Sequence, residues 1–348
     1  MVTYITTYNL SEVSGPSVNE NSFIKYLRKY NDNILCGIFS FNKDNKKYSS
    51  LGKIISQNLF LYKNIKHPGQ KTALILRLDL FPFALFFLNK NNFNGVFLKT
   101  AGDGRYRVLG QKKFGRFFVN IQTFIIKSNM HKFSGFDCVT KCQAERFNNV
   151  FNVVPFVVQN SVDITEFQPP KFSDSSKKII IGYGGTNAET RGGVEVIKCV
   201  NILSNNGIDA GGVITGDYKN YGVLRKMARD LFLEDKIKFT GSVPPEKMKN
   251  IISSFSIGVS FLSKEQRGAS EQKVRQYFAC GVPALLSPSD DNDLFQEKGL
   301  ALVLNNEINL TTLKTLLSFN RDKIVKYTHQ NLSLKAVNDK RLKNWNLI

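Results

Sequence analysis

The sequence predicts an α/β chain built as two doubly wound parallel-sheet units. Three observations carry this. Short apolar, β-branched runs alternate with helical patterns along all 348 residues, and such alternation means parallel strands joined by crossover helices. Near 160–178 a polar segment, "NSVDITEFQPPKFSDSSKK", interrupts the alternation with Pro169-Pro170 and a serine run. It reads as a linker, after which the pattern restarts. A chain this long exceeds one ordinary core and suits two domains of roughly 150 residues each.

In the first half, strands are expected at 2–8, 33–41, 73–78, 95–100, 137–141 and 152–160. Helices are expected between them at 19–30, 81–91, 115–130 and 142–149. The run "FPFALFFL" (81–88) has no polar face. It falls short of the roughly 20 residues a membrane span needs and reads as a buried or surface-dipping helix. After the linker, "KIIIGYGG" (178–185), "DAGGVITGD" (209–217), "KIKFTGSV" (236–243), "SIGVSFL" (256–262) and "PALLS" (283–287) read as strands. Helical patterns at 192–207, 222–233, 244–255 and 270–280 separate them. A last helix is expected at about 321–340. Ligands of doubly wound sheets sit outside the carboxyl ends of the strands. The glycine turns at 184–185, 216 and 241 are therefore candidate site walls, and a cleft between two such sheets is the expected site.

The charge is strongly basic: 48 Lys and Arg against 28 Asp and Glu, a formal net charge of +20. An excess of this size predicts an anionic partner. Five cysteines at 36, 138, 142, 199 and 280 make no disulfide framework. With no signal peptide opening the chain, they point to a reducing, cytoplasmic compartment. Cys138 and Cys142 have no second ligand pair at zinc spacing.

Two stretches carry chemistry. "GGTNAETRGG" (184–193) is a strand end, a Gly-Gly turn and Arg191 before a helix start. Backbone N–H groups at such a start favour phosphate, and Arg191 would add a forked charged contact. "RGASEQKVRQYFACGVPALL" (267–286) places a polar loop before a helix and a Gly-Val-Pro turn before a buried strand. Ser270 reads as the N-cap and Glu271 as a first-turn acid. Lys273 sits at the positive helix end, where an anion would relieve the conflict. "SDDND" (289–293) reads as a cap and loop.

Taken together, these segments resemble the retaining glycosyltransferases of family four, which have the two-domain GT-B architecture. "SEQKVRQYFACGVP" resembles the family's Ser-x-x-Lys-x-x-Glu-Tyr-x-Ala-x-Gly-x-Pro segment. "VVQNSVDITEFQP" (157–169) resembles its linker strand, and "KIKFTGSVPPEKMKNIISSFSIGVSFL" its Phe-x-Gly region. The likeness spans about 157–300; the first half matches only in layout. It implies two Rossmann-like domains facing across a cleft: an acceptor domain at 1–162, a nucleotide-sugar domain at 163–325, and a tail at 326–348 packing back on the first.

The resemblance also implies roles. Arg191 and Lys273 would hold the donor diphosphate, Gly185, Thr186 and Gly216 would line the phosphate turns, and Ser270 and Glu271 would face the sugar. Gln276 stands where the family usually has a ribose-binding Glu, Thr186 where it often has Arg, and Gly268 where the first of its paired Glu would fall. In the first half, Gly15 of "SGPSVNE" (14–20) matches a glycine loop beside the phosphates. Asp103 of "LKTAGDGRYR" (98–107) is the only acid in the loop that often carries the family's His. Lys112, Lys113 and Arg116 of "QKKFGRFF" mix cations with aromatics, as a surface facing a membrane or acceptor would.

The expected reaction is metal-independent, retaining transfer from a nucleotide-diphosphate sugar, with UDP favoured. The expected acceptor is a glycan or lipid-diphosphate glycan of bacterial cell-surface polysaccharide or lipopolysaccharide synthesis, met at the inner face of the membrane. No other cofactor is implied. The competing readings are a degenerate, non-catalytic GT-B protein and a basic nucleic-acid-binding protein, the latter without any recognised binding motif in the chain.

Overall fold

A computed structural model of the chain describes residues 1–7, 10, 15–33, 35–40, 50–66, 72–77, 82–99, 115–170, 178–216, 221–263, 268–304 and 307–348. Its described residues form two six-stranded parallel sheets. The chain divides into two units. The first comprises Met1–Ser161, Gly268–Ser270 and Leu334–Ile348; the second comprises Val162–Arg267 and Glu271–Ser333.

In the first unit the strands are β1 (Val2–Thr6), β2 (Leu35–Ser40), β3 (Ala73–Arg77), β4 (Gly95–Lys99), β5 (Gly135–Cys138) and β6 (Phe156–Val157), in the order β2-β1-β3-β4-β5-β6. Both faces of the sheet are covered, so its strands are largely apolar runs rather than strictly alternating. Along β1, Tyr4 packs with Phe23, Tyr26 and Leu27 of the helix Gly15–Tyr30, while Ile5 packs on the other face with Leu61, Leu85 and Val96. The helix Leu334–Asn344 belongs to this unit. Its Arg341 binds Asp137 of β5 at 2.5 Å, and Trp345 stacks on Phe97 of β4 with ring centroids 5.1 Å apart.

In the second unit β7 (Ile179–Tyr183), β8 (Ala210–Thr215), β9 (Ile237–Gly241), β10 (Ile257–Ser260), β11 (Ala284–Leu286) and β12 (Ala301–Val303) are ordered β12-β11-β10-β7-β8-β9. The order reverses between β7 and β10, which is where a doubly wound sheet opens a crevice at its carboxyl edge. The helix Gln272–Ala279 packs tightly there: a Cβ on Gly258 of β10 would fall 2.4 Å from the Tyr277 ring. Gly281, at φ +71°, ends that helix, and its carbonyl accepts a hydrogen bond from Arg321 Nε at 2.9 Å.

Three expectations are corrected. The segment 81–91 is two short 3-10 turns, Phe83–Phe87 and Lys90–Asn92, rather than one helix. A wholly apolar run has no period to argue from, and Pro82 at the turn's N-cap has no N–H to offer. The helix Ser50–Lys66 has no counterpart in the sequence reading, although Leu51, Ile54, Ile55 and Leu59 carry helical spacing. The expected helix at 321–340 is split into Arg321–Asn331 and Leu334–Asn344. The break is at Ser333, which bridges to Val162, and the chain re-enters the first unit only at Leu334.

Candidate functional site

At the carboxyl edge of the second sheet, two glycine turns meet. Gly185 follows β7 at φ +155° and Gly216 follows β8 at φ +131°. Both conformations favour glycine, and space demands it too: a Cβ on Gly216 would lie 2.8 Å from the Gly185 carbonyl oxygen. Thr215 fastens the pair, its Oγ1 accepting from Gly185 N at 2.7 Å. Thr186 and Asn187 are exposed beyond the turn.

Lys273 reaches this turn from the N-terminal end of the helix Gln272–Ala279. A Cβ on Gly185 would stand 3.7 Å from its Nζ. The ammonium donates to Tyr183 Oη at 3.0 Å, lies 4.1 Å from the Tyr183 ring centroid and pairs with Glu271 Oε1 at 3.1 Å. The Tyr183 hydroxyl in turn donates to the Thr186 carbonyl. Ser260 Oγ, at the end of β10, donates to Glu271 Oε2. The Lys273 side chain is 10 % exposed, so a largely buried cation is held against the glycine turn. Tyr277 ties the helix to the same turn. Its hydroxyl accepts from Gly184 N at 2.8 Å and donates to the Val259 carbonyl at 3.3 Å.

Arg191 ends the short helix Ala188–Arg191, just before Gly192 at φ +131°. Its carbonyl accepts from Phe261 N at 3.0 Å, which joins the β7 turn to the end of β10. Its Nε is buried without a hydrogen-bond partner. A buried guanidinium nitrogen left unpaired is costly, and an anion is the partner it fits. Gln276 is half-buried on the helix that bears Lys273.

Several expected residues stand elsewhere or do other work. Glu271, not Ser270, is the N-cap of the helix Gln272–Ala279, and it makes no side-chain cap bond. Ser270 goes with the first unit, where its carbonyl accepts from Asn160 Nδ2 at 3.0 Å; its own Oγ is buried without a partner. Gly268 sits with it, its carbonyl taking Thr140 Oγ1 at 3.1 Å and Gln143 Nε2 at 3.0 Å. Arg275, two residues from Lys273, is a structural cation. It is fully buried, bonded to Asp291 at 2.7 Å and to the Glu271 carbonyl at 3.0 Å. "SDDND" supplies that Asp291 and opens the helix Asp290–Glu297, with Ser289 as its N-cap. Burial pushes the Cys280 thiol up to about 12, which suits a packing residue.

Gly15 opens the helix Gly15–Tyr30, and Arg116 lies in the first turn of the helix Gly115–Ser128. Asp103, Lys112 and Lys113 lie outside the described residues. Sequence reasoning missed Tyr183, Thr215 and Tyr277, the three hydroxyls that organise the turn. A polar residue at the last position of an apolar strand, as Tyr183 and Thr215 are, is the signal that points to them.

The first unit has its own charged centre at the carboxyl ends of β3 and β4. Glu20 Oε1 takes Lys99 Nζ at 2.6 Å and Arg77 Nε at 3.1 Å, while Tyr4 donates to Oε2. All four side chains are buried. Burial lowers Lys99 to about 8 despite the attraction of Glu20. For Glu20, burial would raise the carboxyl, but Lys99 and Arg77 outweigh it and hold the group below its ordinary value.

Comparison with solved structures matches this architecture over nearly the whole chain. A glycosyltransferase from Rickettsia africae aligns with a TM-score of 0.69 at 11 % identity, over 99 % of this chain and 98 % of that one. Anabaena HepE in complex with UDP-glucose aligns with 0.69 at 12 % identity, over 99 % and 100 %. The chain has the GT-B fold. WaaG, a glycosyltransferase involved in lipopolysaccharide biosynthesis, aligns with 0.69 at 8 % identity, over 99 % of each chain. At these identities the likeness is one of fold. No protein-family model matches the chain, and no characterised protein matches it by sequence.

Proposed function

We propose that this GT-B chain is a retaining glycosyltransferase that moves a sugar from a nucleotide diphosphate, with UDP favoured, to a glycan or lipid-linked glycan acceptor. One observation carries the reading: Lys273 Nζ is presented to the Gly185 turn at the point where the second sheet reverses its order. A helix N-terminus and a cation then converge beside a glycine turn, and that combination suits a diphosphate. The unpaired Nε of Arg191 supports it. So does the UDP-glucose bound by HepE, a neighbour of the same fold.

The chemistry follows from charge. As the glycosidic bond breaks, negative charge grows on the leaving diphosphate. Lys273, Arg191 and the helix N-terminus stabilise that charge more in the transition state than in the ground state. The departing oxygen takes the acceptor hydroxyl's proton on the same face, so configuration at the sugar carbon is retained without an enzymic nucleophile. Asp103 is the candidate for steadying the acceptor, and Gln276 for a neutral contact to the ribose. Cations do the neutralising, so the reaction is read as metal-independent, and a chelator should leave its rate unchanged. The basic charge supports extending this reading to the inner face of the cell membrane, with surface-polysaccharide or lipopolysaccharide synthesis as the setting.

The test is a thermal-shift screen of UDP, GDP, dTDP and CDP, followed by donor hydrolysis with the binder. A nucleotide at 100 times its dissociation constant adds roughly 2.7 kcal/mol of stability. A shift without turnover would favour a degenerate, non-catalytic GT-B protein. No shift with any of the four would remove the donor assignment.

A further inference from the structure

The surface of the first unit exposes large apolar side chains from three neighbouring elements. On the helix Ser50–Lys66, Ile55, Leu59 and Lys63 follow one another at four-residue spacing, so one exposed stripe runs from apolar to cationic. The adjoining 3-10 turn Phe83–Phe87 exposes Phe83, Phe86 and Phe87, the last 67 % open. The helix Gly115–Ser128 exposes Phe117 and Phe124, two turns apart on one face, with Lys127 beside Phe124.

These elements are joined. Asn58 Oδ1 accepts from Ala84 N at 2.8 Å, and the Tyr62 and Phe87 rings meet edge to face at 5.2 Å. Lys132, just past the third element, donates to the carbonyls of Leu85 and Phe86 at 2.7 and 3.0 Å. Scattered exposed hydrophobics need no explanation, but a contiguous group rimmed by charge of one sign marks a docking surface.

The charge selects the occupant. Residues 50–66, 82–99 and 115–132 contain no Asp or Glu at all, while Lys63, Lys90, Lys127 and Lys132 stand among the apolar residues. A second copy docked on the same face would bring like charges together, since a two-fold interface is self-complementary. Nucleic acid would match the charge and could stack on the phenylalanines, but it gives the aliphatic Ile55 and Leu59 no apolar partner, so it is kept as an outcome of the test. Apolar side chains interleaved with lysines fit the headgroup layer of a bilayer, where each kind of residue finds its own depth. Among the described residues no helix is long and apolar enough to cross a membrane.

We propose that the face built by the helix Ser50–Lys66, the turn Phe83–Phe87 and the helix Gly115–Ser128 seats the protein on the surface of an anionic lipid bilayer. The proposal deepens the peripheral-membrane part of the reading above and rests on it only there. It names a contact surface, with Leu59, Phe86 and Phe87 entering the acyl boundary and the exposed Lys63 and Lys127 meeting lipid phosphates.

The experiment is cosedimentation of the full chain with phosphatidylcholine vesicles, with and without phosphatidylglycerol, at low and high salt. Wild type should bind the anionic vesicles and release with salt. Leu59→Ser/Phe86→Ser/Phe87→Ser should lower the partition constant by roughly tenfold or more, because apolar burial is lost. Lys63→Glu/Lys127→Glu should lower it by at least about fivefold for each charge at low salt. The sites are exposed, so circular dichroism and melting should stay as in wild type, and the charge pair tests the idea even if the apolar triple misfolds. Vesicle binding that ignores both variants overturns the proposal. So does an oligonucleotide that binds in place of vesicles, or a dimer by light scattering that the apolar triple abolishes. A nucleotide thermal shift run on the same variants should be unchanged. If wild type binds vesicles but shows no nucleotide shift, the donor assignment fails and this surface stands.

Discussion

The two units each place a lysine and a glutamate near the carboxyl edge of a parallel sheet, yet the two pairs differ in what else surrounds them. Around Glu20, every strong partner is a side chain of the protein: Lys99, Arg77 and Tyr4 share its two oxygens, all out of reach of water. Around Lys273 the partners are Glu271 and Tyr183, but the ammonium also faces a glycine turn, and Arg191 Nε nearby in sequence from that turn has none. A closed set of charges has nothing left to bind and serves the fold. A set that stops at glycine backbone leaves room for an anion. The contrast separates a structural ionic centre from a binding site without appeal to burial alone.

The largest effect should come from opening the closed centre. Glu20→Gln leaves Lys99 and Arg77 buried beside a neutral amide and should cost about 3–5 kcal/mol in urea unfolding. The effect has a pH signature. Because the folded carboxyl lies below its ordinary 4.5, Glu20 contributes stability that is fully present above that pH and is lost as pH falls through the folded value. The gap between wild type and Glu20→Gln should therefore shrink on acidification below about 4.5. A gap that stays constant across that range would mean the carboxylate is not what the cations need.

Next in size are the cations of the open site. Lys273→Ala or Arg191→Ala should each lower kcat/KM on the order of 100-fold, from roughly 3 kcal/mol per charged contact that strengthens in the transition state. Both should keep the wild-type dichroism spectrum. Near-normal rates in folded variants would move the diphosphate away from this turn. A smaller loss is expected for Tyr277→Phe. It leaves Gly184 N and the Val259 carbonyl without their partner, at about 1–3 kcal/mol of stability. If the turn is the binding site, weaker nucleotide binding should accompany that loss. The smallest effect belongs to Gln276→Ala, about tenfold or less in kcat/KM, as for one neutral hydrogen bond.

How much of this was legible in the sequence follows the same division. Most strands of both sheets were readable because doubly covered strands are apolar runs bounded by glycine and polar turns, and β7, β8 and β10 fall inside the expected segments; the three-residue edge strand β12 was too short to read. The glycine turn and Lys273 were readable because their chemistry depends on local order along the chain. The Glu20 centre was not: its members lie on a helix and three strands, at positions 4, 20, 77 and 99, and only the folded sheet brings them together. Arg275 shows the converse. It stands two residues from Lys273, but the helix turns the two side chains to different sides, and Arg275 meets Asp291 instead. The helix Ser50–Lys66 was overlooked although its pattern was present. The run 81–88 could not be read, because eight apolar side chains in a row fit any backbone.

The first unit is completed by residues 334–348, with Trp345 against Phe97 and Arg341 on Asp137. Its core therefore joins the earliest and the latest parts of the sequence, while almost all of the second unit lies in one uninterrupted span. On the ribosome the order of completion should be inverted relative to the order of translation. The second unit can close as soon as Ser333 clears the exit tunnel, whereas the sheet begun at Val2 waits for the last helix to emerge. During that interval the nascent first unit would carry an unfilled slot over Phe97 and lack the Arg341–Asp137 ion pair, making it the part of the chain most in need of a chaperone.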